Sequence, residues 1–178
     1  RARSGYVAPR GKSPVPAPSA PDAPLPSVVE ALGSPLPVTG VPMRVFAAPF
    51  KGTAPNAAIA YTIELEAAKF DFVNRNGAWT DTVEILSSAT RGDGKIMPGE
   101  RDKLALTLKP ETFEQVRNGG LRVTGQLELP PGRYQLRFAA ADPSGKAGSV
   151  MYDLEVPDFT RDAVALSGIA LTSQQAAN

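Results

Sequence analysis

The sequence predicts an all-β chain, an immunoglobulin- or fibronectin III-like Greek-key β-sandwich with one or two short helices. Three observations carry that expectation. Roughly eight short runs alternate apolar and polar residues, with turn signals about every 10 residues. The stretch Leu127–Asp142 reads as the end of a strand, a Pro130-Pro131-Gly132 corner and a long central strand with Tyr134 just inside it, the position of a tyrosine corner. Helical spacing surfaces in only two short places, so the strands are not separated by the helices a βαβ fold requires.

Composition narrows the function classes. The chain has 178 residues, 42% hydrophobic and 21% charged, with net charge +1. That balance suits one globular domain and supplies no strong field for nucleic acid or an anionic membrane. No apolar run is long enough to span a bilayer. Cysteine and histidine are both absent. Disulfides, thiolate nucleophiles and Cys/His zinc sites are thereby excluded, as is the usual base of a catalytic serine.

Half of the 18 prolines lie between Pro9 and Pro37. Proline removes backbone donors and favours extended chain, so residues 1–37 are expected to be a semi-rigid linker. Within it, Ser27 to Gly33 carries an N-cap serine, Glu30 at the third helical position and a terminal glycine, which predicts one helical turn packed on the domain. The start at Arg1, without Met or a signal-like segment, predicts a fragment. The β-sandwich is placed at 38–173 and a frayed tail at 174–178.

The strands follow in order. Val41 to Ala48 is entered through Pro42, which suits a strand start or edge. Ala58 to Ala67 puts Ile59, Tyr61, Ile63 and Leu65 on one face. Asn76-Gly77 marks a hairpin turn. Trp79 to Thr90 follows, with Trp79, Val83 and Ile85 inward, then a turn centred on Asp93-Gly94. Lys103 to Lys109 points Leu104, Leu106 and Leu108 inward. Pro110 to Gly120 breaks the alternation with a starting proline, early acids and a glycine end, and reads as a short helix with Phe113 and Val116 on one face. Leu121 to Leu129 is a strand in which Gly125 marks a bulge or a close approach. In the central strand, Tyr134, Leu136, Phe138 and Ala140 face the core, while Arg133, Gln135 and Arg137 face water. Val150 to Val156 is its partner, and Ala163 to Thr172 a last strand.

Several of these segments together resemble a known group. Gly5-Tyr6-Val7-Ala8-Pro9, Leu129 to Arg137, Gly148-Ser149-Val150, Val156-Pro157-Asp158-Phe159, Leu166-Ser167-Gly168 and Leu171-Thr172-Ser173 are similar to the C-terminal part of von Willebrand factor A-related proteins of Acidobacteria. The resemblance implies an exported protein of the cell envelope or exterior, with a von Willebrand factor A-like domain preceding the linker. Its motifs are turns and strand ends. They imply no catalytic residue, and the adhesion motif Asp-x-Ser-x-Ser does not occur in this chain.

The remaining motifs are read as structure. Arg91-Gly92-Asp93 is a hairpin turn rather than an integrin ligand. Asp93, Glu100 and Asp102 lack the spacing of a calcium loop, and Asp142 with Ser144 is a turn initiator. Glu64, Glu66 and Glu84 alternate on an outward, solvated sheet face rather than forming a glycosidase pair. Ser87, Ser88 and Ser167 have no histidine to activate them. Arg133, Arg137, Lys103 and Lys109 are ordinary charges opposite Glu128, Asp153 and Glu155. No catalytic, cofactor-binding or metal residue is assigned, and no cofactor is expected. The expected function is that of a non-catalytic module that supports or spaces the upstream domain, or binds a protein partner of unknown identity. The alternative is carbohydrate binding on a sheet face, which two or more of Trp79, Phe46 and Phe72 exposed on one face would favour. A hydrolase ranks third.

Overall fold

A computed structural model describes residues 23–97, 99–161 and 166–168. The Gly5–Pro9 motif, the first 22 residues of the linker, most of the Ala163–Thr172 strand and the tail at 174–178 lie outside the described residues. The elements are α1 (Pro26–Gly33), β1 (Met43–Lys51), β2 (Ala57–Leu65), a 3-10 turn at Ala67–Lys69, β3 (Val73–Arg75), β4 (Ala78–Arg91), β5 (Ile96–Met97), β6 (Arg101–Leu108), α2 (Pro110–Gly119), β7 (Leu121–Leu129), β8 (Gly132–Ala141) and β9 (Ala147–Val156).

The strands form two antiparallel sheets. One has the order β1-β2-β7. In the other, β4 pairs with β6 on one side and β8 on the other, β9 lies beyond β8, and β3 and β5 add short pairings to β4. Pro49 is tolerated within β1 because β1 is an edge strand. The β3–β4 hairpin turns on Asn76 and Gly77, with φ of 52° and 84°. Both central residues of that turn need positive φ, which explains the Asn-Gly pair.

Alternation places the core between the sheets. Ile59, Ile63, Val83, Leu136, Phe138 and Ala140 are fully buried and belong to one cluster with Leu127 and Leu129. The rings of Tyr61 and Phe138 meet across the core at 4.8 Å. Gly125 marks a close approach and not a bulge. The β2–β7 register runs unbroken through it, and the Tyr61 side chain occupies the space a Cβ would need.

The chain also ties the two sheets together before β1 begins. Val38 O accepts from Ser149 N at 2.8 Å, and Val41 N donates to Ala147 O at 2.9 Å, so this segment is bonded to β9 of the larger sheet. The chain then crosses to become the edge of the smaller one.

Two expectations are corrected. The outer face of the central strand is not all in water: Ala139 and Ala141 are completely buried, because Val28 and Ala31 of α1 pack on them. Small residues there let a helix lie close to the sheet. The helix also begins earlier than Ser27 suggests. Pro26 occupies its first turn, Leu25 is the N-cap, and no side-chain cap bond forms. Proline's fixed φ already suits the first helical position, so the serine is drawn inside.

At the corner before β8, the Tyr134 hydroxyl donates to Pro130 O at 2.9 Å, and the residue is 3% exposed. Burial pushes the phenol up from its ordinary value, with Asp93 adding to the effect and Arg91 opposing it. Tyr134→Phe should lower stability by about 1 kcal/mol through loss of this bond. A denaturant midpoint unchanged from wild type would rule out an energetic role for the corner.

Candidate functional site

Glu84 departs most from its expected place. Glu64 is solvated and pairs with Arg122 at 2.7 Å, and Glu66 is exposed, as alternation requires. Glu84 points to the same side of its own sheet as predicted, yet its side chain is only 3% exposed. The chain entering α1 covers it. Glu84 Oε1 accepts from Arg101 Nε at 2.6 Å, and Oε2 accepts from Leu25 N at 3.2 Å. Arg101 Nη2 also donates to Ala23 O at 3.3 Å. At the other end of α1, Arg137 Nη1 donates to Ser34 O at 3.0 Å, a cation placed where helix carbonyls concentrate negative charge. The helix is therefore held at both ends by ionic side chains and in the middle by apolar contact. Arg137 serves this clamp and not the open sheet face expected of it.

The other motifs resolve into turns and surface. In Arg91-Gly92-Asp93, Asp93 Oδ1 accepts from Lys95 N and Arg91 Nη2 donates to Pro131 O, which ties the turn to the tyrosine corner. Asp93, Glu100 and Asp102 form no metal-holding cluster with other ligating residues among those described. Ser87 Oγ is taken by Glu100 N at 2.8 Å. Arg133 lies 3.8 Å from Glu155, both largely solvated. The aromatics do not form a row on one face. Trp79 stacks on Phe113 of α2 at 4.2 Å, and Phe72 meets the same ring edge-on at 5.3 Å. Phe46 is exposed on β1 of the other sheet. Tyr61, whose phenol burial and the nearby Asp102 and Glu100 push up to about 12, is a core residue.

The most distinctive polar feature lies at a break in the larger sheet. On one side of β4, β3 pairs with residues 78–80 and β8 with residues 84–91. Among the described residues, 81–83 have no strand partner on that side. The turn after β8 borders the gap. Asp142, 1% exposed, accepts from Asp71 N, Ser144 Oγ and Lys146 N at 3.1, 2.6 and 3.0 Å. Lys146 Nζ reaches Asp71 Oδ1 at 2.8 Å, which holds the Asp71 carboxyl below its ordinary value and lifts the amine. Asp81 bonds the amide of its neighbour Thr82 at 2.7 Å through Oδ1, while its buried Oδ2 has no hydrogen-bond partner among the described residues. Asp71, Asp81, Asp142 and Ser144 line an open groove of about 600 Å³ with Thr80, Thr82 and Thr107. Sequence reading passed over it, although one signal was present. Asp81 sits at an inward position of the Trp79, Val83, Ile85 alternation, where a charge is anomalous.

Burial raises the Asp81 carboxyl above its ordinary value, the Thr82 amide opposes this, and Asp142 and Asp71 add to the rise. The folded state therefore binds this proton more tightly than the unfolded chain. Stability falls as pH rises from the ordinary carboxyl value to the raised one and stays reduced above it. Asp81→Asn keeps an acceptor for Thr82 and removes the charge. It should raise the thermal midpoint at pH 7, and the difference should vanish near pH ~3, where both states of the wild type are protonated. An equal shift at both pH values would show that charge is not the cause.

No family model and no curated protein matches the chain. Among solved structures, it is similar to a provisionally named beta-galactosidase from Bacteroides fragilis, with TM-score 0.45 and 14% identity over 63% of this chain and 16% of that one. A Northeast Structural Genomics Consortium target gives TM-score 0.41 and 14% identity over 75% of this chain and 97% of that one. A provisionally named ApaA protein from Bordetella pertussis gives 0.36 and 12% over 66% and 94%. The chain thus spans a small part of the first of these, and likenesses at this level carry no functional argument.

Proposed function

We propose that this chain is a non-catalytic accessory module of an exported bacterial protein, built on an immunoglobulin/fibronectin III-like Greek-key sandwich, which supports and spaces the domain before it. The strand order supports the finer fold. Naming the long strands A, B, C, C′, E, F and G in sequence gives A-B-E facing C′-C-F-G. That is the immunoglobulin arrangement with C′ beside C and no strand D, and the tyrosine bond falls at the start of F, as in such domains. The observation that carries the functional reading is the clamp on α1. A linker that ends in a helix bolted to the sheet by Glu84, Arg101 and Arg137 transmits a defined orientation to whatever precedes it. A freely jointed tether would need no buried ion pair.

The test is capture from bacterial envelope extract by this chain and, separately, by the longer protein that carries it. Capture of a partner by the longer protein alone supports the supporting role. The same partner captured by this chain would make it the binding module. Turnover of envelope glycans or peptides by the purified chain would overturn the reading.

A further inference from the structure

We infer that the open edge of β7 docks a second copy of this chain. The two β7 strands pair antiparallel about a two-fold axis at Gly125, which joins the smaller sheets of both copies into one. Self-association of this kind is independent of the supporting role proposed above.

An unpaired strand edge is a row of backbone donors and acceptors ready for another chain. Among the long strands, β1, β6, β7 and β9 stand at sheet edges. Three of them are blunted. In β1, Pro49 has no amide donor, and its carbonyl accepts from Gly168 N at 2.8 Å. In β9, Ala147 O and Ser149 N are bonded by the segment before β1. In β6, the charges on the outward face are Arg101 and Lys103, of one sign, which opposes self-pairing. β7 has none of these devices. It keeps an unbroken register with β2 through its full length, and among the described residues no strand pairs with its other side.

The residue order of β7 is complementary to itself about Gly125. Antiparallel pairing centred there sets Arg122 opposite Glu128 of the second copy, and Glu128 opposite the second copy's Arg122. Directly opposed side chains on antiparallel strands touch, and opposite charges there attract. Both residues lie on the exposed outer face with Thr124 and Gln126. Within its own chain Glu128 faces Ala58 on β2 and has no ion pair among the described residues. Arg122 keeps Glu64 on its other side at 2.7 Å, so each guanidinium would sit between two carboxylates.

The inner face agrees. Leu121 and Val123 are half-buried, whereas Leu127 and Leu129 are buried. The same register places Leu121 beside Leu129 and Val123 beside Leu127 of the second copy, which completes their cover. At the axis Gly125 faces itself. The Tyr61 ring already occupies the space above that glycine, and the axis adds no side chain to compete with it. A slide of two residues sets Glu128 against Thr124, or Arg122 against Gln126, and loses both ion pairs.

Sedimentation of the full chain tests this. The wild type should pass from the mass of one chain to that of two over roughly 10 μM to 1 mM, the range of a small interface. Glu128→Arg and Arg122→Glu are exposed substitutions, and each alone sets like charges opposite one another at both ends of the pairing. Each should weaken association by about tenfold. An equimolar mixture of the two variants should regain association close to the wild type, because every reversed side chain then faces its opposite. Lys103→Glu, on the β6 edge, should leave association unchanged. A wild type that keeps the mass of one chain throughout would overturn the proposal. So would a dimer indifferent to either reversal, a mixture that associates no better than its components, or a dimer weakened as much by Lys103→Glu.

Discussion

Arg101→Leu should lower the unfolding free energy by about 3–5 kcal/mol, the cost typical of removing one partner from a buried ion pair. The reason is asymmetric burial. The Arg101 side chain is 26% exposed, but the Glu84 side chain is 3% exposed. Without the guanidinium, the carboxylate stays beneath the N-terminal segment with the Leu25 amide as its remaining hydrogen bond among those described. The loss should be visible in denaturant unfolding and in faster proteolysis between Ala23 and Gly33, since the same side chain holds Ala23. Replacing both partners, Glu84→Leu with Arg101→Leu, should recover much of the stability, because an apolar pair leaves no orphaned charge. If the double variant is no better than the single one, the ion pair is not the source of the cost.

Phe138→Ala should cost about 3–5 kcal/mol, as deletion of a fully buried aromatic side chain does. Phe138 is completely buried and its ring rests on Tyr61, which belongs to the other sheet. Its loss leaves a cavity on the plane where the sheets meet, and paired strands on either side limit collapse. Phe46→Ala is the control. That ring is 48% exposed on β1, and its removal should change stability by no more than about 0.5 kcal/mol. Similar midpoints for the two variants would contradict a core shared by both sheets.

Local residue order made the strands legible. Inward residues of β2 and β8 recur at every second position, and the Asn76-Gly77 turn, the α2 termini and the Tyr134 corner each have a local cause that sequence displays. Glu84 and Asp81 were not legible in the same way. Alternation states which side of a sheet a residue faces and is silent on what covers that side. Glu84 was expected in water because β4 alternates, and it is buried because a segment some 60 positions earlier folds over it. Asp81 lies at a break in pairing that depends on where β3 stops and β8 starts, which neither strand records by itself.

By itself, then, the sequence determined an antiparallel β chain with two short helices, the inward face of each main strand, and the absence of thiol and imidazole chemistry. These follow from backbone periodicity and residue inventory, both local properties. Only the tertiary structure decided that α1 lies on β8, that Glu84 and Arg101 clamp its entry, and that Asp71, Asp81 and Asp142 meet around a gap in the sheet. Those contacts include pairs 17, 71 and 103 positions apart. Their formation depends on the summed packing of both sheets, which no short window of sequence contains.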